Sequence, residues 1–367
     1  MRNAYTNARI YSGDEVLDGK AIITDNGIIE DIIEPSSIPA DCHTENLKGL
    51  NIAAAFIDMQ IYGGNGKMFS HELSRESIQS TYEYCLSGGA AYFMITLATN
   101  SIEIFVKGIE VAREYMENGG KGLLGVHLEG PYLNPIKKGA HIEAFIKQPE
   151  RKEVEMLLQK GKGVFKMMTL APEQCDPGVI DLLIENNIIV SAGHTNATYK
   201  QGIDAFNRGI PAATHLFNAM SAFHSREPGT VGSIFDHPKV VSSLVCDGVH
   251  VDFAAIRISK QLMKERLFFI TDAVAEITEG AYQHIFRGDR YTLPDGTLSG
   301  SSLTMMKCVQ NGVNHVGIPL DEALRMASTY PARLLEPGTK LGLIKKGYKA
   351  SFVVFNDALE CMRTICV

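Results

Sequence analysis

The sequence predicts an α/β chain: a (β/α)8 TIM barrel carrying a small β-sandwich domain formed from both chain ends. Three observations carry that prediction. The chain has 367 residues, more than a single hydrophobic core usually supports, so a large barrel or two domains is the expectation. Between residues 52 and 336, short apolar runs alternate with segments of helical period, as βα units around a parallel sheet do. Residues 1–51 and 337–367 lack that rhythm and read as short strands separated by glycines. The expected domains are therefore 1–51 plus 337–367 for the β-sandwich and 52–336 for the barrel.

In chain order, residues 8–11, 20–24 and 28–33 are β-branched runs. Asp25-Asn26-Gly27 separates the last two, and Asn-Gly accepts the positive φ that a type I′ hairpin turn requires. Residues 342–344 and 350–355 resemble this start, so a C-terminal strand pair should join an N-terminal meander. The barrel strands are read at 52–61, 90–98, 123–128, 164–170, 188–192, 211–214, 240–246 and 267–270. Helical spacing marks 77–87, 102–117, 150–160, 178–186, 199–208, 254–265 and 303–316. A doubly wound open sheet is the alternative, but no G-x-G-x-x-G follows the first strand. Residues 281–300, with Pro294-Asp295-Gly296, read as a hairpin inserted after the eighth strand.

Composition narrows the function. Hydrophobic residues make up 45% and charged residues 21%, the balance of a soluble globular protein. Lys and Arg number 35 against 42 Asp and Glu, a formal charge of −7, and no basic run appears, which argues against a nucleic-acid partner. No apolar stretch reaches membrane-spanning length and the N-terminus lacks a signal-peptide core, so no membrane partner is expected. Seven scattered cysteines without C-x-x-C spacing argue against a disulfide framework or zinc knuckle, and make the cytoplasm the expected compartment.

In a (β/α)8 barrel the chemistry collects at the C-terminal strand ends. Here strand three ends in His127-Leu128-Glu129, strand five in Gly193-His194, and strand six in Thr214-His215-Leu216-Phe217-Asn218. Strand seven ends in Asp247-Gly248-Val249-His250, and strand eight in Thr271-Asp272. A carboxylate and two imidazoles converging on one mouth suit a catalytic divalent metal with an open water position. Any one of these groups alone reads more plainly as a satisfied structural side chain; five at the same end do not. His127 lies deeper and reads as structural. Asp272 could take a water's proton or simply orient a ligating imidazole. His141, on the loop after strand three, could polarise a carbonyl or be a surface histidine. Arg226, in Ser225-Arg226-Glu227-Pro228-Gly229, offers a planar fork for phosphate; its plainer role is an ion pair with Glu227.

These residues also carry a resemblance. GVHLEGPYLN (125–134), KGAH (138–141), AGHTNATY (192–199), THLFNAM (214–220), Arg226–Gly229 (REPG), Asp247–His250 (DGVH) and TDA (271–273) resemble the N-acetylglucosamine-6-phosphate deacetylases of the amidohydrolase superfamily. FIDMQIYGG (56–64) and GTLSGSSLTM (296–305) extend the likeness over the whole chain, in order. The resemblance implies one divalent metal ion per subunit held by Glu129, His194 and His215. Zinc is the first expectation, with iron, manganese or cobalt also suited. It implies Asp272 as base then acid and His141 as the group polarising the acetamide carbonyl. Asn218, the Ala219 backbone, Arg226 and His250 would hold the phosphate of a sugar-phosphate substrate, in a pocket completed across a homodimer. Two positions depart from the pattern. The strand-one His-x-His that binds a second metal in many amidohydrolases reads Gln60-Ile61-Tyr62 here, which implies a single metal, and Ala54-Ala55 replaces the usual Pro-Gly. The implied reaction is removal of the acetyl group from N-acetylglucosamine 6-phosphate in amino-sugar catabolism. The rivals are another amidohydrolase acting on a different acylated sugar or cyclic amide, and a non-catalytic phosphosugar-binding barrel.

Overall fold

The computed structural model describes residues 2–366. By internal contacts they form two compact units: residues 2–58, 85–92 and 304–366, and residues 59–84 and 93–303.

The first unit holds two small sheets. One orders the strands Ile28–Ile33, Ala21–Asp25, Asn3–Thr6 and His43–Asn46; the other orders Cys361–Ile365, Phe352–Phe355, Asn51–Ala54, Arg9–Tyr11 and Val16–Leu17. Ile22 and Ile29 of the first sheet share one buried cluster with Ile10, Ile52, Phe352 and Val354 of the second. Tyr5 meets Phe352 edge-on at 5.6 Å. Two sheets closed over one apolar layer, drawn from both chain ends, make the predicted sandwich. The Asn26-Gly27 hairpin forms, with both residues at positive φ. The predicted N-terminal meander does not. Asn3–Thr6 pairs parallel with His43–Asn46, and Arg9–Tyr11 pairs parallel with Asn51–Ala54. Strands distant in sequence complete each sheet, and local turn signals carry no information about that pairing.

An eight-stranded sheet orders Phe56–Ile61, Ala90–Ala98, Leu123–Glu129, Phe165–Leu170, Ile189–Ala192, Ala212–Ala213, Val241–Val245 and Leu267–Ile270, in sequence order. The registers from the second strand to the eighth are parallel. A parallel bridge from Ile61 to Ala273 closes eighth to first, with Asp272 N–H donating to the Gln60 carbonyl at 3.0 Å. All six residues of Phe56–Ile61 are buried, which is why the barrel runs read as continuously apolar rather than alternating. The helix Ile102–Glu117 buries Ile102, Phe105, Ile109, Ala112 and Tyr115, the three- and four-residue spacing of a core-facing stripe. Tyr199–Arg208 starts in a reciprocal cap between Thr198 and Gln201.

A helix missing from the sequence reading, Gly229–Asp236, links strands six and seven. Its eight residues include two glycines and three β-branched residues, so propensity hides it; burial of Val231, Gly232, Ser233 and Ile234 supplies the stabilisation. After strand eight the predicted insertion forms a three-stranded antiparallel sheet of Ile285–Phe286, Arg290–Thr292 and Leu298–Ser301.

Candidate active site

The C-terminal strand ends open onto a cavity of about 290 Å³, close to the size range of small-molecule sites. Glu129 sits at its base, 2% exposed. Its Oε1 lies 3.0 Å from His215 Nε2 and 3.5 Å from His194 Nε2, and the two imidazole nitrogens are 3.1 Å apart. Its Oε2 lies 3.1 Å from His141 Nε2 and accepts the Tyr62 hydroxyl. Asp272 and Glu129 are joined through the Gln60 amide, whose Nε2 is 2.8 Å from Asp272 Oδ1 and 3.0 Å from Glu129 Oε1.

Hydrogen bonds behind the imidazoles set which nitrogen is available. His194 Nδ1 faces the Lys137 carbonyl at 2.8 Å. A carbonyl only accepts, so Nδ1 carries the hydrogen and Nε2 presents its lone pair. Burial, reinforced by His141, lowers the His194 pKa to about 4, keeping the ring in the neutral form a metal requires. His141 is set the other way. Its Nδ1 accepts the Thr99 N–H at 3.2 Å, so Nε2 carries a hydrogen and acts as a donor. His215 Nδ1 is buried without a hydrogen-bond partner among the described residues. Burial pushes the Glu129 carboxyl up, but the surrounding imidazoles of His141, His194 and His215 outweigh it and hold the group well below its usual range. Burial raises Asp272, with Glu129 adding to the rise and His215 opposing it.

Two donor sets could take a cation, sharing Glu129 and His194 and differing in His141 or His215. The Glu129, His141 and His194 donor atoms lie within 4.8 Å of one another. The Glu129–His194–His215 set is tighter, at 3.0 to 3.5 Å. Ligand atoms 2.0–2.1 Å from one tetrahedral centre stand about 3.3 Å apart. That spacing fits the second set, and the donor role of His141 argues against the first.

The backbone here is strained. His194, His215, Ala219 and Asp272 have φ of 47, 38, 50 and 54°, a region that costs a non-glycine residue on the order of 1–3 kcal/mol. Neighbouring strands hold two of them. The Ser243 hydroxyl accepts the His215 N–H at 2.8 Å, and Asp272 is bonded on one side to Gln60 and on the other to the Ser301 N–H.

Asn218, Ala219 and His250 line the same cavity. His250 Nδ1 is 2.6 Å from Asp247 Oδ2, which leaves Nε2 as the atom able to meet a ligand. Arg226 is not brought to the site: it is exposed and does not line the cavity. The Glu227 carboxylate instead accepts the N–H groups of Tyr199 and Gly229. His127 is fully buried below the site, with Nε2 2.8 Å from Thr169 Oγ1. The sequence reading missed Tyr282, His284, Ser299 and Met68, which also line the cavity. The Tyr282 hydroxyl donates to the Thr99 carbonyl at 2.6 Å and accepts the Ile142 N–H at 3.3 Å, tying the insertion to the His141 loop. The Pro294-Asp295-Gly296 hairpin signal pointed to the insertion but not to the side chains it delivers.

The sequence pattern of the amidohydrolase family matches residues 51–365. The chain belongs to the amidohydrolase family. A NagA composite domain matches residues 3–52. This amidohydrolase is 35% identical to an N-acetylglucosamine-6-phosphate deacetylase of Haemophilus influenzae over 100% of this chain and 98% of that one. It is 30% identical to an N-acetylgalactosamine-6-phosphate deacetylase of a Shewanella strain, over 95% of this chain and 91% of the relative. Its fold is similar to the crystal structure of the Pasteurella multocida N-acetylglucosamine-6-phosphate deacetylase. The TM-score is 0.95 and the identity 34%, covering 100% and 98% of the two chains. Among the described residues no helix is long and apolar enough to cross a membrane.

Proposed function

We propose that this amidohydrolase hydrolyses the acetamide of N-acetylglucosamine 6-phosphate, giving glucosamine 6-phosphate and acetate. The observation that carries this is one cavity in which Asp272 and the His141 donor adjoin a Glu129–His194–His215 donor set. A divalent cation held by that set, zinc by preference and one per subunit, would polarise the carbonyl and lower the pKa of a water. The single-metal reading draws support from Gln60, whose amide N–H groups point at the Glu129 and Asp272 carboxylates where another cation would need a ligand.

Asp272 takes the proton of the attacking water as the new C–O bond forms. His141 Nε2–H donates to the carbonyl oxygen as negative charge develops there. The carbon–nitrogen bond then breaks as protonated Asp272 returns its proton to the departing amine. One group serves twice because an amine anion is too basic to leave unprotonated. Asn218, the Ala219 backbone and His250 would hold the phosphate.

Catalysis falls to residues 52–336 in this reading, with 1–51 and 337–367 as the accessory sandwich. We also infer a homodimer in which Arg226 serves the partner's pocket, in support of which Arg226 is exposed outside its own chain's cavity and Phe223 beside it is 59% exposed. Seven free cysteines fit a reducing cytoplasm.

Changing Asp272→Asn should lower turnover by about 10²–10⁴-fold while metal content stays near that of the wild type; near-normal acetate release would overturn the assignment. The Shewanella relative favours one rival, the galactosamine epimer. Acetate release from both 6-phosphates decides between them. Mixing Arg226→Ala with Asp272→Asn chains should regain activity if Arg226 acts on the partner's site, and should regain none if it acts on its own.

A further inference from the structure

We infer that Tyr62, Met68, Ala98 and Val274 form the subsite for the acyl methyl group and set how long an acyl chain the enzyme accepts. The inference rests on the deacetylase reading and names what that reading leaves open, the acyl specificity. All four side chains line the cavity. Tyr62, Met68 and Val274 also belong to one buried cluster, against which Ala98 packs. Together they form one apolar corner of the mouth.

The corner adjoins the reacting groups. Ala98 is the register partner of Glu129 across strands two and three, the Tyr62 hydroxyl donates to Glu129, and Val274 lies two residues beyond Asp272. Topology gives it a direction. Asn218 and Ala219 follow strand six and His250 follows strand seven, whereas Tyr62 follows strand one and Ala98 ends strand two. In a closed ring of eight strands, strand two stands opposite strand six, strand one stands two places from strand seven, and Val274 follows strand eight between them. The nitrogen and the methyl of an acetamide lie on opposite sides of the carbonyl carbon. A sugar phosphate seated at Asn218 and Ala219, beyond strand six, therefore aims the methyl toward Ala98 at the end of strand two, where Tyr62 and Val274 adjoin it. The phenol, the corner's polar side-chain group, is already engaged with Glu129 and Gln60, so an apolar substituent is what the corner suits.

Its walls are also fixed. A Cβ at Gly300 would fall 2.6 Å from Val274 Cγ1, and one at Gly63 would fall 2.9 Å from the Met68 Cα. Met68 Sδ accepts the Ala275 N–H at 3.1 Å. Backbone packed this closely behind both side chains leaves them no room to retreat from a longer acyl group.

The test measures kcat/KM on the N-formyl, N-acetyl, N-propionyl and N-butyryl derivatives of glucosamine 6-phosphate, with metal content and circular dichroism checked for each variant. Wild type should lose roughly 10–200-fold for the first methylene beyond acetyl. Val274→Ala should narrow the acetyl-to-propionyl ratio by about tenfold or more, at the lower edge of that range. Ala98→Val, which adds bulk at the same corner, should depress acetyl more than formyl and reads the subsite independently if Val274→Ala folds poorly. Equal rates along the series in wild type, or a wild-type ranking in both variants, would overturn the inference. Failure of wild type to cleave any member would instead remove the deacetylase reading, and the subsite with it.

Discussion

His194, His215 and Asp272 keep left-handed backbone that their side chains do not favour; the Ser243 hydroxyl holds the His215 N–H, and backbone bonds to Gln60 and Ser301 hold Asp272. Strain of this kind aims three side chains at one point more narrowly than relaxed strand ends would. Gln60 completes the arrangement by donating to the Glu129 and Asp272 carboxylates, which would otherwise repel each other. Hydrogen bonds to charged groups contribute about 1.5–3 kcal/mol. Gln60→Leu should therefore lower kcat roughly tenfold or more, while elemental analysis finds the cation retained; unchanged kcat would show that the amide does not orient Asp272.

The insertion after strand eight is what fixes Asp272 at the scale of elements. The Ser301 N–H bonds the Asp272 carbonyl and the Val274 N–H bonds the Ser301 carbonyl, so Leu298–Ser301 clamps the segment carrying Asp272. Gly300 has φ of +121°, and a Cβ there would meet Val274 and the Asp272 carbonyl. Gly300→Ala should lower stability by about 1–3 kcal/mol and depress kcat as well. Gly296→Ala is the control, since Gly296 also has positive φ, +90°, but faces open space. It should cost some stability and leave kcat intact. Equal kcat losses in both would show that the clamp does not matter. Residues 281–300 announced a hairpin; that its third strand grips Asp272 was not legible, because a turn signal reports local geometry and not the element it docks on.

For the whole molecule, buried imidazoles tie stability to pH. Burial lowers the pKa of His127 and of His284 to about 4, below the roughly 6.5 of an unfolded histidine. Between those values the unfolded chain binds more protons than the folded one. Stability therefore falls as pH drops from about 6.5 toward 4, by up to about 3 kcal/mol per group. Urea midpoints should decline across that window, and His284→Phe should flatten the decline. An unchanged slope would mean that His284 does not contribute. The net charge of −7 acts at the same scale. It weakly repels an anionic substrate, so in the function proposed above phosphate binding rests on a local cluster around the cation and His250.

The sequence by itself determined the barrel and the strand-end residues. Period and apolar continuity are local properties, and in this architecture the C-terminal end of each strand is where side chains face the mouth, so Glu129, His194, His215, His250 and Asp272 could be located without coordinates. Tertiary structure decided what those residues meet. Gln60 reaches Asp272 across 212 positions, and Thr99 sets the tautomer of His141 across 42. The same closure packs Tyr62, Met68, Ala98 and Val274 into one corner and leaves Arg226 outside the cavity. Contacts of that range arise from barrel closure and from where loops dock. Both depend on packing between segments far apart in the chain, which no local pattern encodes.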